Sequence, residues 1–356
     1  MEGGGAPIRV LVVDDSLITV QTITSILQAD PSLRVVGTSL DGEHALRAAQ
    51  DLRPDVITMD INMPRMDGIE ATRQIVRQLG IPIVIVSAYA SANSVAIQTL
   101  QALIDGAIES VQKPSGEIGI DLDLVGAELI AKVKAAAKIG SRSRDRAGVA
   151  APPRAEPSRM RPWRSMEPAG VGLVALGVST GGPSTLERFV PLLPGDFPAP
   201  IVLVIHMPPV FIPILASNLA SRSRIAVEVA RQGQVLRPGA MVIGPAGTHL
   251  TVTRDLRVRL EDGAPVNGCL PSVDVLFESI ARHVPGRSLG VVLTGMGRDG
   301  ARGLAAMKDK GDVTAAQDEA TSVVYGMPKA AAISGAAAYE VALPDLGQFL
   351  LSCVAR

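Results

Sequence analysis

The sequence predicts the α/β class: two doubly wound parallel-sheet domains joined by a flexible linker. Three observations carry this expectation. At 356 residues the chain is far longer than one compact core needs, since domains average about 150 residues. Short buried runs alternate with amphipathic helical segments on both sides of a central break. That break, SRSRDRAGVAAPPRAEPSRMRPWRSMEPAG from Ser141 to Gly170, is dense in Pro, Arg, Ser and Ala and shows no apolar period, a composition that does not offset its ordering entropy. The division expected is a first domain over 7–138, a linker over 139–170 and a second domain over 171–356.

In the first domain the strand candidates are Ile8–Val13, Leu33–Thr38, Asp55–Met59, Ile81–Val86 and Ala107–Val111. Helical spacing occupies Leu17–Gln28, Glu43–Gln50, Ile69–Leu79, Val95–Leu103 and Leu124–Lys138. Five β-α units make a parallel sheet, and such sheets bind ligands beyond the carboxyl ends of their strands. The residues at those ends are Asp14 and Asp15, Asp60, Ser87, and Lys113 followed by Pro114. Singly, each also suits a helix cap, a turn or solvated surface. Together, three acids crowd one rim, where they repel one another unless oxygen ligands hold a divalent cation among them. A cation so placed can neutralise an incoming phosphoryl group.

These residues stand in the motifs VVDDS, MDINMPRMDG, VSA and KP, and over residues 7 to 125 the chain resembles the receiver domain of two-component response regulators. The resemblance implies a flavodoxin-like fold with Asp60 as phosphoacceptor. It also implies Mg2+ held by Asp15, Asp60 and the backbone carbonyl of Asn62, with Asp14 nearby. Ser87 and Lys113 would grip the phosphoryl oxygens, and a histidine kinase would supply the phosphoryl group. The stretch SANSVAIQTLQALIDGAIES between Ser87 and Lys113 is where the match is weakest.

After the linker, the buried strand Leu173–Val178 runs into Gly177-Val178-Ser179-Thr180-Gly181-Gly182 and a helix from Ser184 onward. This is G-x-S-x-G in a strand-turn-helix setting, which exposes a hydroxyl among free backbone N–H groups. A serine nucleophile needs a base, and the chain has four histidines. His44 falls in a first-domain helix, His249 precedes a strand-like LTVT stretch, and His283 ends a helix before Pro285. His206 instead terminates the apolar strand Ile201–Ile205, on the same rim as Ser179. The acid expected to orient its imidazole is Asp299, after the strand Leu289–Leu293 and within Thr294-Gly295-Met296-Gly297-Arg298-Asp299-Gly300. The same letters spell G-x-G-x-x-G with Asp318 downstream, so a dinucleotide site is a rival reading. Against it, Asp299 would press a carboxylate on a pyrophosphate, and Ser179 and His206 would go unexplained.

Through LGVSTGG, IHMPP, PSVDVLF, TGMGRDG and AQDEATSVVYGMPKAA, residues 171 to 352 resemble the catalytic domain of the chemotaxis response regulator protein-glutamate methylesterases. That implies a serine-hydrolase domain in which Ser179, His206 and Asp299 act as a triad and the Met296 N–H stabilises the oxyanion, with no cofactor at this site. The implied activity is phosphorylation-regulated hydrolysis of glutamyl methyl esters on methyl-accepting chemotaxis receptors, releasing methanol, together with deamidation of receptor glutamines. The regulation expected is cover of the catalytic rim by the unphosphorylated receiver. Cys269-Leu270 stands before Pro271 where the family commonly has an arginine. The alternative from another class is a phosphorylation-dependent binding protein with an inert second domain.

Composition agrees with these expectations. A formal net charge of -1, with one Trp, three Tyr and five Phe, leaves neither the basic excess nor the aromatic surface that nucleic-acid binding draws on. Cys269 and Cys353 match no zinc spacing and are expected to be reduced thiols. No run is long and apolar enough for a membrane span or a secretory signal, so a cytoplasmic protein without membrane insertion is expected.

Overall fold

The structure is a computed structural model that describes residues 6–88, 94–114, 120–148, 161–165 and 169–354. The chain divides into two compact units, Met1–Pro153 and Arg154–Arg356.

The first unit runs β1 (Ile8–Val13), α1 (Leu17–Gln28), β2 (Leu33–Ser39), α2 (Gly42–Leu52), β3 (Val56–Met59), α3 (Gly68–Leu79), β4 (Ile83–Ser87), α4 (Ser94–Ile104), β5 (Glu109–Gln112) and α5 (Ile120–Gly148). Its sheet has the order β2-β1-β3-β4-β5 and every pairing is parallel. Strands covered on both faces read as unbroken apolar runs, and every residue of β3 and β4 is buried. Ala45 and Ala49 of α2 and Ala71 and Ile75 of α3 pack on Leu11, Val13, Ile57 and Met59. Helix starts follow from side-chain caps: Ser16 accepts the Thr19 N–H at 3.3 Å, Asp41 the His44 N–H at 2.9 Å and Asp67 the Glu70 N–H at 2.8 Å. Registers Val13↔Ser39, Val13↔Met59 and Ser87↔Gln112 bring Asp14, Asp60, Ser87 and Lys113 out at one edge.

The second unit contains β6 (Arg161–Pro162), β7 (Leu173–Val178), α6 (Gly182–Phe189), β8 (Ile201–Ile205), α7 (Phe211–Arg222), β9 (Ala226–Val229), β10 (Ala240–Ile243), β11 (His249–Val252), β12 (Val258–Glu261), α8 (Val273–His283), β13 (Ser288–Val292), α9 (Ala301–Lys310), β14 (Val313–Gln317), α10 (Met327–Ile333), β15 (Tyr339–Val341) and α11 (Leu346–Val354). Eight strands form a parallel sheet in the order β6-β15-β14-β13-β7-β8-β10-β9. Val273, Phe277 and Ile280 of α8 and Leu304 and Met307 of α9 cover Leu173, Ala175, Val204 and Val292. The strand expected after His249 begins at His249 itself, as β11, and pairs antiparallel with β12 as a hairpin outside the main sheet.

The linker differs from the sequence expectation at both ends. The helix expected over Leu124–Lys138 spans Ile120–Gly148, continuing through Gly140, Ser141 and Ser143, whose low intrinsic helix propensity pointed to an earlier end. At the other end β6 pairs in parallel with β15. Trp163 meets Phe349 edge-on at 5.8 Å, and Arg164 ion-pairs with Asp345 at 2.8 Å. Residues 161–165 therefore belong to the second unit. The remaining linker residues, 149–160 and 166–168, and the start of the weakly matched receiver stretch, 89–93, lie outside the described residues.

Candidate active site

The last register pairs of β7 with β8, Val178↔Ile205, and of β13 with β7, Val292↔Gly177, set the geometry of the second unit's rim. One residue beyond the first pair stand Ser179 and His206. The Ser179 N–H donates to the Thr294 carbonyl at 2.9 Å and the His206 N–H to the Val178 carbonyl at 3.1 Å, which ties three strand ends together. Glycine is required where the chain turns back: Gly181 has φ 75°, and a Cβ there would lie 2.5 Å from Val323 Cβ. At Gly295 a Cβ would sit 2.8 Å from Ser179 Cβ, so the neighbouring loop closes directly on the serine.

Asp299, 2% exposed, is the centre of the polar network. Its Oδ2 is 3.0 Å from His206 Nε2 and accepts the Val273 N–H at 2.7 Å. Its Oδ1 accepts from Ser272 Oγ at 2.7 Å, Asn267 Nδ2 at 3.1 Å and the Asp274 N–H at 3.2 Å. The Val273 and Asp274 amides belong to the first turn of α8, whose positive end faces the carboxylate. Burial works against the Asp299 anion, but the hydrogen bonds from His206, Ser272 and Val273 outweigh it and hold the carboxyl down at about 2. Burial likewise opposes a charged His206, yet its bonds to Asp299 and Cys269 push the imidazole up to about 9.

With Nε2 turned to Asp299, the ring nitrogen left for a substrate-side partner is Nδ1, which faces Cys269 Sγ at 3.7 Å. Among the described residues Ser179 Oγ has no hydrogen-bond partner, so His206 and Asp299 are in direct contact and Ser179 shares their rim. Met296 is 46% exposed, and its N–H likewise meets no acceptor among the described residues. The other histidines are engaged elsewhere. His249 Nδ1 accepts the Ser272 N–H at 3.2 Å and its Nε2 lies 3.1 Å from the Ala264 carbonyl. His44 is exposed and bonds Asp41 at 2.5 Å. Sequence reasoning missed Asn267 and Ser272. Ser272 had a readable signal, a serine just before an amphipathic run, and it caps α8.

In the first unit Lys113 Nζ lies 2.7 Å from Asp14 Oδ2 and 2.9 Å from Asp60 Oδ2. Burial raises the Asp60 carboxyl above its usual range despite the ammonium. Carboxylate oxygens of Asp14, Asp15 and Asp60 lie within 4.8 Å of one another. Such a donor set of hard oxygens fits Mg2+. Ser87 Oγ is buried and has no hydrogen-bond partner among the described residues. The loop leaving Asp60, which includes Asn62, is pinned by Gly68, where a Cβ would fall 1.8 Å from the Asp60 carbonyl oxygen.

Residues 10–120 match the response regulator receiver domain and residues 174–350 the CheB methylesterase family. A protein-glutamate methylesterase/protein-glutamine glutaminase of Symbiobacterium thermophilum is 43% identical over 339 residues, 93% of this chain and 92% of the relative. The chain belongs to the protein-glutamate methylesterase/protein-glutamine glutaminase family. Another member, from Caulobacter vibrioides, is 44% identical over 97% of this chain and 98% of its own. The CheB methylesterase catalytic domain of Thermotoga maritima, a crystal structure, aligns with TM-score 0.49 at 37% identity over 51% of this chain and 97% of that one. Like its methylesterase relatives, this chain is a hydrolase in which a receiver precedes the catalytic domain. None of its described helices is long and apolar enough to cross a membrane.

Proposed function

We propose that this methylesterase hydrolyses glutamyl γ-methyl esters on methyl-accepting chemotaxis receptors, and the corresponding glutamine amides, through Ser179, His206 and Asp299. The observation that carries the reading is the 3.0 Å contact of His206 Nε2 with a buried Asp299 carboxylate on the rim that also bears Ser179. Asp299 accepts a hydrogen bond from Nε2–H, which leaves the Nδ1 lone pair as the base. Ser179 Oγ attacks the ester carbonyl while Nδ1 takes its proton, and the Met296 N–H donates to the developing oxyanion. The imidazolium returns the proton to the departing methoxide, and methanol leaves. Water, deprotonated by the same nitrogen, then attacks the acyl-serine and restores a receptor glutamate.

In the receiver, Asp60 is the phosphoacceptor, served by a histidine kinase. Asp15, Asp60 and the Asn62 carbonyl would hold Mg2+, with Asp14 beside them. When bound, the cation offsets the charge of the incoming phosphoryl group. Lys113 and Ser87 then contact phosphoryl oxygens.

Methanol release from methylated receptor membranes tests the reading. Ser179→Ala should lose essentially all of it and keep the fold and receiver phosphorylation. A wild type that releases no methanol would favour a binding protein with an inert second domain.

A further inference from the structure

Cys269 has no part in the hydrolytic scheme, yet its Sγ stands 3.7 Å from His206 Nδ1 and 3.7 Å from the Asn267 carbonyl, and neither contact is short. Two ligands of one tetrahedral zinc ion, at about 2.3 Å for sulfur and about 2.0 Å for nitrogen, are separated by about 3.5 Å. The thiol and the imidazole are thus spaced as neighbouring ligands. Histidines that bind zinc commonly give their other ring N–H to a carboxylate. Here that carboxylate is in place, with Asp299 Oδ2 3.0 Å from Nε2. Ligand atoms of His206, Cys269 and Asp299 all lie within 4.8 Å of one another. A thiolate with an imidazole selects zinc over the hard cations that suit the receiver's carboxylates.

We propose that His206 Nδ1 and Cys269 Sγ form an inhibitory site for Zn2+ or a similar thiophilic divalent cation. Binding forms the metal–sulfur and metal–nitrogen bonds and releases to solvent the thiol proton and, where the imidazole is charged, the Nδ1 proton as well. Water completes the coordination, because Asp299 stays behind the ring as its hydrogen-bond acceptor. The metal occupies the lone pair that must take the serine proton, so hydrolysis stops until the ion is removed. This inhibitory consequence rests on the triad reading; the binding does not. Cys353 offers no competing site, since it is buried and burial pushes its thiol up to about 12.

The test uses the full chain in excess Mg2+, which keeps the receiver's oxygen site filled, with Co2+ as the spectroscopic probe. Wild type should develop a near-ultraviolet thiolate-to-cobalt charge-transfer band that Zn2+ abolishes by displacement. Cys269→Ser should lose the band and bind zinc more weakly by at least about tenfold. A wild type without the band, or a band that survives in Cys269→Ser, overturns the site. In the same preparation Zn2+ should suppress methanol release at least about tenfold, reversed by a chelator, and Cys269→Ser should need correspondingly more zinc. Displacement of cobalt by zinc with methanol release unchanged overturns the inhibition. If wild type develops the cobalt band on adding Co2+ but releases no methanol when that site is left metal-free, the hydrolase reading fails and the metal site stands.

Discussion

His206 is where protonation and catalysis meet. In the proposed triad its imidazole must be neutral to accept the serine proton, but contact with Asp299 and Cys269 overcomes burial and holds it charged up to about 9, against the usual 6.5. Activity therefore rises as the proton leaves: kcat/KM for methanol release, corrected with Ser179→Ala for spontaneous ester hydrolysis, should climb with a midpoint near about 9 rather than near 6.5. Asp299→Asn should lower that midpoint and reduce kcat by about 10⁴-fold, the loss its counterpart causes in the serine-protease template. The same raised pKa stabilises the folded state fully below 6.5, and that contribution is lost as pH rises through about 9. A pH profile centred at the usual imidazole value in wild type would contradict the geometry. Ser179, His206 and Asp299 were legible in the sequence because each follows a buried strand and so lands on one rim. Asn267 and Cys269 were not, because they sit on the irregular segment between β12 and α8. Asn267 at φ 53° and Gly268 at φ 76° steer that segment past His206, and nothing periodic announces such a path.

The element that orients the acid is α8. Its first-turn amides of Val273 and Asp274 donate to Asp299, and its capping residue Ser272 donates to Oδ1 at 2.7 Å while accepting the Val275 N–H at 3.5 Å. One side chain thus caps a helix and positions the acid. Ser272→Ala should destabilise the second unit by about 1 to 2 kcal/mol, the range for losing a cap and a buried hydrogen bond, read from the denaturant midpoint. It should also lower kcat by up to about 100-fold with KM unchanged, because a tilted carboxylate misaligns the imidazole without touching substrate. A purely structural role would move stability and leave kcat alone. Elements of the parallel core were legible from unbroken apolar runs such as IVIVS and IVLVI. The short edge strand β6 and the extension of α5 through Gly148 were not. Edge pairing of two residues, Arg161 and Pro162, leaves no alternation, and a helix that continues through Gly140, Ser141 and Ser143 runs against intrinsic propensity.

At the scale of the whole chain, the two-domain division was legible from a composition shift, although the structure assigns residues 161–165 of that arginine-rich stretch to the second unit's sheet edge. How strongly the first unit can regulate the second follows from what changes when Asp60 carries a phosphoryl group. A modification shifts a two-state equilibrium only by the interactions it makes in one state and not in the other. Lys113 already pairs with Asp14 and Asp60, so its charge is engaged beforehand. Ser87 is different: its buried hydroxyl has no partner among the described residues, and a phosphoryl oxygen would supply one. A hydrogen bond to a charged acceptor contributes about 1.5 to 3 kcal/mol, equivalent to a shift of roughly 10- to 150-fold. With Mg2+ and a small phosphodonor, methanol release should therefore rise by about 10- to 100-fold. Asp60→Asn should abolish the rise because no acyl phosphate forms. Ser87→Ala should still take up the phosphoryl group, measured by label incorporation, but lose most of the stimulation. Equal stimulation in Ser87→Ala and wild type would place the switch on another contact, and a rise that persists in Asp60→Asn would place the phosphoacceptor elsewhere.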